Sequence, residues 1–251
     1  RIFEQFNGCC FADLDLKQQG VIEDFQLLFY IIQPPTPERV KYDIFDRVNR
    51  GGTPLNKQEM RNALYRGRCT RMLDKLCCSP EFLIATGRSI NKERMKDQYV
   101  VLRAMAFLML HRGEFKDIPA LQYRGDIDDF LARFMVYVND NAPEKLIVDY
   151  ENLFIRCMQI SYDLLGENGF RFSGNGIRRP INMPLFEALS YLFSFVPEKI
   201  DYTWVSRLIL DIESVKEEFD DSRYFSGNID STTSVSFRFD RMDKIINRIQ
   251  L

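Results

Sequence analysis

Between Cys69 and Ile249 the apolar residues return every three or four positions, a period that packed helices satisfy and strands do not. Met105, Leu108, Met109 and Arg112 show the spacing within one segment. Read along the chain, it predicts helices at Cys69–Leu76, Pro80–Thr86, Asn91–Arg112, Asp126–Asn139, Pro143–Leu165, Pro184–Phe195, Tyr202–Phe219 and Phe239–Ile249. The segments Gly113–Gly125, Gly166–Asn182 and Asp220–Ser234 are rich in Gly, Ser or Asn and read as loops, with Gly227–Ser236 a flexible polar linker. Of 251 residues, 45% are hydrophobic and 21 are Phe, enough apolar volume for a sizeable core.

One segment departs from the helical period. Phe25–Ile32 is short, aromatic and β-branched, and Pro34-Pro35 ends it, so a strand is expected there. A short helix candidate at Lys17–Asp24 precedes it. Thr36-Pro37-Glu38 then sets out a helix start: Thr36 as cap, Pro37 in the first turn where its missing N–H costs nothing, Glu38 against the positive end of the dipole. That helix runs through Val40, Ile44, Phe45 and Val48 and stops at Gly51-Gly52. Asn56 and Glu59 have capping-box spacing for the next helix, which carries Met60, Ala63 and Leu64 inward and ends by Gly67. The expected fold is mainly α, with the remnant of a small α/β unit over residues 1–79 and a helical domain over 80–251.

Several function classes drop out. No run of 18 apolar residues occurs, so no membrane-spanning helix is expected. The opening RIFEQFNG lacks both an initiator Met and a signal design, and it begins as if inside an element; an upstream portion is expected. Cys9-Cys10 and Cys77-Cys78 are adjacent pairs without zinc spacing, and the chain has one His, so the six cysteines read as buried, reduced thiols of a cytoplasmic protein. That His, His111, has no triad partners and reads as a surface or helix C-terminal residue, while Trp204 reads as core. The net charge of −2 hides an asymmetry: Arg39–Lys75 holds ten Lys/Arg against four Asp/Glu, and Glu198–Asp221 holds three against eight. Either a polyanion meets the first region or the two regions face each other.

The residues best suited to hold an anion lie in Arg50-Gly51-Gly52-Thr53, between two expected helices. Glycines let backbone amides approach a phosphate, and the helix beginning near Asn56 would point its first N–H groups into the same place. Arg47, Arg50 and Arg61 could add forked donors, and Glu59 could orient a water or hold Mg²⁺. The bland alternatives are a helix C-cap at Gly51-Gly52, a capping partner at Glu59 and a solvated helix face at Arg61. A second candidate is Arg171, Arg178 and Arg179 in a Gly/Ser/Asn-rich loop, meeting either an anion or Glu187. Arg103, flanked by apolar residues, needs a partner: an internal carboxylate or a ligand phosphate. Arg94 and Asp97 are spaced to pair within one helix.

Ile44, Phe45, Arg47, Val48, Asn49, Gly51, Gly52, Thr53, Leu55, Glu59, Arg61, Asn62 and Ala63 form an ordered motif. This run resembles the N-terminal-domain family of GmrSD-type restriction endonucleases, grouped with ParB- and sulfiredoxin-like folds. Weaker echoes follow at Arg94–Asp97, Val101–Phe107, Gly125–Leu131, Gly169–Arg171 and Arg178–Glu187. The resemblance implies a ParB-like nucleotide-binding unit on a helical body, NTP with Mg²⁺ as cofactor, and DNA as partner in bacterial restriction or phage defence. It brings Asn49 and Asn62 into the candidate phosphate site. The family's Asp-Gly-Gln-Gln-Arg segment belongs upstream of Arg1, and one His cannot supply the HNH-like nuclease domain that some relatives carry downstream. The chain is therefore expected to act as an NTP hydrolase or endonuclease subunit only with that segment, a partner nuclease or further copies of itself. The alternatives are a non-catalytic DNA-binding adaptor and a helical protein-interaction scaffold.

Overall fold

The computed structural model describes residues 6–29, 31, 33, 40, 44, 45, 47, 48, 54–173, 178–197, 202–222 and 224–249. The chain divides into two compact units, residues 1–44 and 45–251, so the helices at 57–77 belong with the large helical body and not with a separate unit ending at 79. In the first unit, α1 (Leu16–Glu23) is capped by Asp15, whose carboxylate accepts from the Gln18 N–H at 2.8 Å. The strand expected at Phe25–Ile32 is not present in its described residues, which carry no regular structure; Tyr30 and Ile32 lie outside them. A strand needs a neighbour to satisfy its backbone, and no strand occurs among the described residues. The Thr36-Pro37-Glu38 helix start is also outside the described residues, although Val40, Ile44, Phe45, Arg47 and Val48 are helical.

The second unit is helical throughout. Its elements are α2 (Lys57–Leu64), α3 (Arg68–Cys77), α4 (Pro80–Ala85), α5 (Lys96–His111), α6 (Ile127–Asp140), α7 (Glu144–Leu165), α8 (Met183–Phe193), α9 (Tyr202–Asp220) and α10 (Thr232–Ile249). Side-chain caps set several starts: Asn56 for α2, Ser79 for α4, Asp126 for α6 and Asn182 for α8. The expected helix Asn91–Arg112 is instead a short 3₁₀ turn, Glu93–Met95, followed by α5. The expected linker Gly227–Ser236 ends at Thr232, because the Ser231 hydroxyl accepts from the Ser234 N–H at 3.1 Å and starts α10 early. Among the described residues no helix is long and apolar enough to cross a membrane.

Two helices form the centre. Every residue from Val100 to Met109 in α5 and from Pro184 to Phe193 in α8 is buried, and a helix apolar on all sides belongs inside a core. They pack on each other; α3, α6 and α7 also pack on α5, and α7 and α10 on α8. Trp204 packs, partly buried, against this core. Cys69, Cys77 and Cys157 are buried as expected, and burial pushes their thiols up, Cys157 to about 12. Cys9, Cys10 and Cys78 are exposed instead, all six cysteines being free.

Within these apolar helices lies one ionic cluster. Arg103 of α5 donates to Glu187 of α8 at 2.5 Å, and Arg238 of α10 donates to the other Glu187 oxygen at 2.9 Å. All three side chains are at most 1% exposed. Arg103 also reaches Asp230 at 2.6 Å, so two guanidiniums meet two carboxylates. The Ile229 carbonyl accepts from Arg238 at 2.5 Å and the Asp230 carbonyl from the Tyr123 hydroxyl, which pins the segment before α10. His111, read above as a surface residue, is stacked on Phe239 with ring centroids 3.6 Å apart. Its Nε2 is buried without a hydrogen-bond partner.

Glu187→Ala is expected to lower the unfolding free energy by about 3–5 kcal/mol in urea denaturation, since it leaves two buried cations facing each other. A loss under about 1 kcal/mol would contradict that role. Burial, and secondarily Arg238, push the His111 imidazole down to about 3. The unfolded chain, with an ordinary His near 6.5, takes up the proton first as pH falls. Stability is therefore lost as pH drops below about 6.5, and the loss continues toward the folded value. From pH 7 to pH 5 this amounts to about 1–2 kcal/mol, and His111→Phe should flatten most of that slope in denaturation curves taken at both pH values.

Candidate functional site

Of the expected phosphate loop, Asn49, Arg50, Gly51, Gly52 and Thr53 lie outside the described residues, and Arg47 is exposed on a helical segment. From Pro54 onward the geometry is defined. The Asn56 side chain accepts from the N–H groups of Gln58 and Glu59 at 2.8 and 2.9 Å, and Glu59 accepts from the Asn56 N–H at 2.6 Å. The same Glu59 carboxylate holds Arg94 at 2.9 Å. These contacts, the Arg94 hydrogen bond foremost, hold the Glu59 carboxyl below its ordinary range. Glu59 is thus the capping partner of α2 and an anchor for Arg94, and both roles occupy the oxygens that Mg²⁺ would need.

Arg61 is a correction as well. It is 1% exposed, with Nη1 on Asp128 at 2.8 Å, Nε on Gln58 at 3.1 Å and its guanidinium 5.3 Å from the Tyr99 ring centroid. It faces the core because positions 58 and 61 lie one turn apart on the buried side of α2. Asn62 is also engaged internally: its oxygen accepts from Gln58 at 2.8 Å, its nitrogen donates to Gln98, and Gln98 donates to Asp74 at 2.7 Å. A chain of amides therefore joins the motif to α3 and α5.

Where α2 meets the start of α5, the backbone is strained. Arg94 and Met95 both have positive φ, 56° and 59°, which non-glycine residues rarely adopt. Asn56 holds the Arg94 carbonyl at 2.7 Å, and Arg94 returns a bond to the Pro54 carbonyl at 2.6 Å. Arg94 thus pairs across to Glu59 and not along the helix to Asp97, whose carboxylate accepts from the Gln98 N–H. Strain of this kind gathers at binding sites. A cleft of about 490 Å³ opens here, lined by Asn56, Gln58, Glu93 and Tyr99 with the cations Lys57, Arg94 and Lys96.

The second candidate cluster divides. Arg103 belongs to the buried ionic cluster, its partners being carboxylates of this chain, so it is not a ligand contact. Arg171, Arg178 and Arg179 come together in a cleft of about 810 Å³, with Lys216 of α9 and the carboxylates of Glu167 and Glu213. Arg178 pairs with Glu167 at 2.7 Å and Arg179 with Asp220, so neither meets Glu187. Lys216 and Glu167 escaped sequence reading: the first sits in an acidic run, and the second lies at the start of the loop, 11 residues before its partner Arg178. The Arg178–Glu167 pair lies close against Gly87, at φ +58°, where a Cβ would stand 2.0 Å from the Arg178 guanidinium.

Among the ion pairs of the described residues, none joins the basic region to the acidic one. Cations of the basic region meet Asp128, Glu144 and Glu151 on α6 and α7: Lys57 and Arg61 on the first, Arg68 on the second, Lys75 on the third. Carboxylates of the acidic region meet Arg179, Lys216, Arg241 and Arg248. Among the described residues no group of three or more His, Cys, Asp or Glu side chains could hold a metal ion. Comparisons with protein-family models, with curated proteins and with solved structures find no match.

Arg61→Ala is expected to cost about 3 kcal/mol or more in urea denaturation, because it strips Asp128 and Gln58 of a buried partner. An unchanged midpoint accompanied by lost nucleotide affinity would return Arg61 to the phosphate site.

Proposed function

We propose that this chain is a nucleotide-dependent DNA-targeting component of a bacterial restriction or phage-defence system, of the GmrSD type. The motif Ile44–Tyr65 carries the reading, and the strained cleft beside it supports it. A nucleotide there would set its phosphates against Lys57 and Lys96. Lys57 shares Asp128 with Arg61, whereas Arg94 is committed to Glu59. With Glu59 occupied, Glu93 is the carboxylate lining the cleft that could approach a nucleotide-bound Mg²⁺, a cation that keeps several waters and takes one or two carboxylates.

In this reading the motif forms part of a ParB-like unit, and bond cleavage in NTP or DNA belongs to the assembly with an upstream segment, a nuclease partner or further copies of the chain. The amide chain Gln58–Asn62–Gln98–Asp74 gives the cleft a route to the helical body. A second reading, a protein-interaction scaffold, draws support from Phe25, Leu27, Leu28, Phe29 and Ile31, all about two-thirds exposed or more.

Titration calorimetry with ATP, GTP and CTP, each with Mg²⁺, is expected to show binding of at least one. Lys57→Ala with Lys96→Ala should weaken it about tenfold, the loss of roughly 1.4 kcal/mol of phosphate contact. Silence from all three nucleotides, with DNA retarded equally in their absence, would end this reading in favour of the adaptor.

A further inference from the structure

We propose that the cleft lined by Arg171, Arg178, Arg179 and Lys216 is a second, separate site that binds a phosphate group. Arg171 is 4% exposed, and among the described residues its guanidinium donates to no carboxylate. Its donors go to the carbonyls of Glu167 (3.2 Å), Thr86 (3.2 Å) and Arg179, and to the Ser89 hydroxyl. Four neutral oxygens orient the side chain and take four of its five N–H groups, but they leave its full positive charge in place. A buried cation without a counter-ion is costly unless something supplies the negative charge. Burial and then the neighbouring Arg178 hold Arg171 below the ordinary arginine range, with the Glu167 carboxylate offsetting them only in part, though an arginine stays protonated there.

The cations around it make the deficit larger. Arg178 is matched by Glu167, Arg179 by Asp220 and Lys216 by Glu213 at 2.9 Å. With every pair closed, the cleft still carries the Arg171 charge. Three of the four cations are guanidiniums, whose planar forks fit tetrahedral oxyanions in two-point contacts. Arg178 and Arg179 are 45% and 39% exposed, so they can turn toward a ligand at the cleft mouth while Arg171 stays fixed beneath. The Arg179 guanidinium lies 5.4 Å from the Phe172 ring centroid, which keeps it at the cleft edge. The volume of about 810 Å³ admits either a free phosphate or one borne on a larger molecule.

This site shares no lining residue with the cleft at Lys57 and Lys96, so its fate is independent of the nucleotide reading. The test is calorimetric titration of the full chain, without Mg²⁺, using inorganic phosphate, pyrophosphate and a short single-stranded oligonucleotide. At least one should bind at a 1:1 ratio, with affinity falling as salt rises. Binding by pyrophosphate alone identifies a small phosphate ligand; binding by the oligonucleotide alone identifies a nucleic-acid backbone. Arg178→Ala with Arg179→Ala, both at the surface, should weaken the interaction at least tenfold with an unchanged melting temperature, whereas Lys57→Ala with Lys96→Ala should leave it intact. Arg171→Lys, which keeps the charge and loses the fork, should weaken it too. No binding by any probe, or binding that survives the Arg178/Arg179 double substitution, overturns the proposal.

Discussion

The helical body depends on a carboxylate that has no access to water. Glu187 sits at 0% exposure between Arg103 and Arg238, and each of its oxygens serves a different helix. Apolar packing alone would let α5, α8 and α10 slide or rotate against one another, because Leu, Phe and Ala surfaces accept many registers. A buried charge does not. Moving any of the three helices by one turn would strand an ion in a medium where its hydration cannot be replaced, a penalty of several kcal/mol. The cluster therefore acts against alternative packings at least as much as it adds to stability.

Its fourth member extends that control beyond the core. Asp230 balances the second guanidinium, and Tyr123 and Arg238 hold the main chain on either side of it. A segment of polar and glycine residues is thereby fixed, and α10 begins directly afterward at Thr232. Tyr99 carries the connection the other way. Its hydroxyl accepts from Arg103 at 3.0 Å, while the guanidiniums of Arg61 and Arg103 lie 5.3 and 5.5 Å from its ring centroid. Tyr99 also lines the cleft beside the motif, so the wall of that cleft and the ionic cluster share one side chain.

Periodicity and caps were legible in the sequence because both are local. Asn56 announces its helix within three residues, and the buried faces of α6 and α7 follow the three- and four-residue spacing. Long-range pairing was not legible. Arg94 reads as the partner of Asp97 one turn away, yet it is bound to Glu59, and the backbone at Arg94 and Met95 is left-handed where the expected helix is interrupted. Phe25–Ile32 has strand composition, but composition supplies no neighbouring strand. For Arg103 the sequence correctly posed a need for a partner, and only the packing of α5 on α8 could name Glu187. For Arg178 and Arg179 the sequence offered Glu187 as the alternative to an anion, but Glu187 is held by Arg103 and Arg238, and the carboxylates they meet are Glu167 and Asp220.

Arg103 and Arg171 show how a structural arginine differs from one poised for a ligand. Both are almost wholly buried, and both have their N–H groups directed at oxygens. Around Arg103 the oxygens include two carboxylates, so charge and hydrogen bonds are satisfied together and nothing further is required. Around Arg171 they are carbonyls and a hydroxyl, so orientation is supplied without neutralisation. A carbonyl dipole softens a positive charge but cannot cancel it, and the nearest side-chain charge acting on Arg171 most strongly is another cation, Arg178. Geometry held fixed while charge is left open is what preorganised anion recognition requires, because the side chain need not be ordered again when the anion arrives.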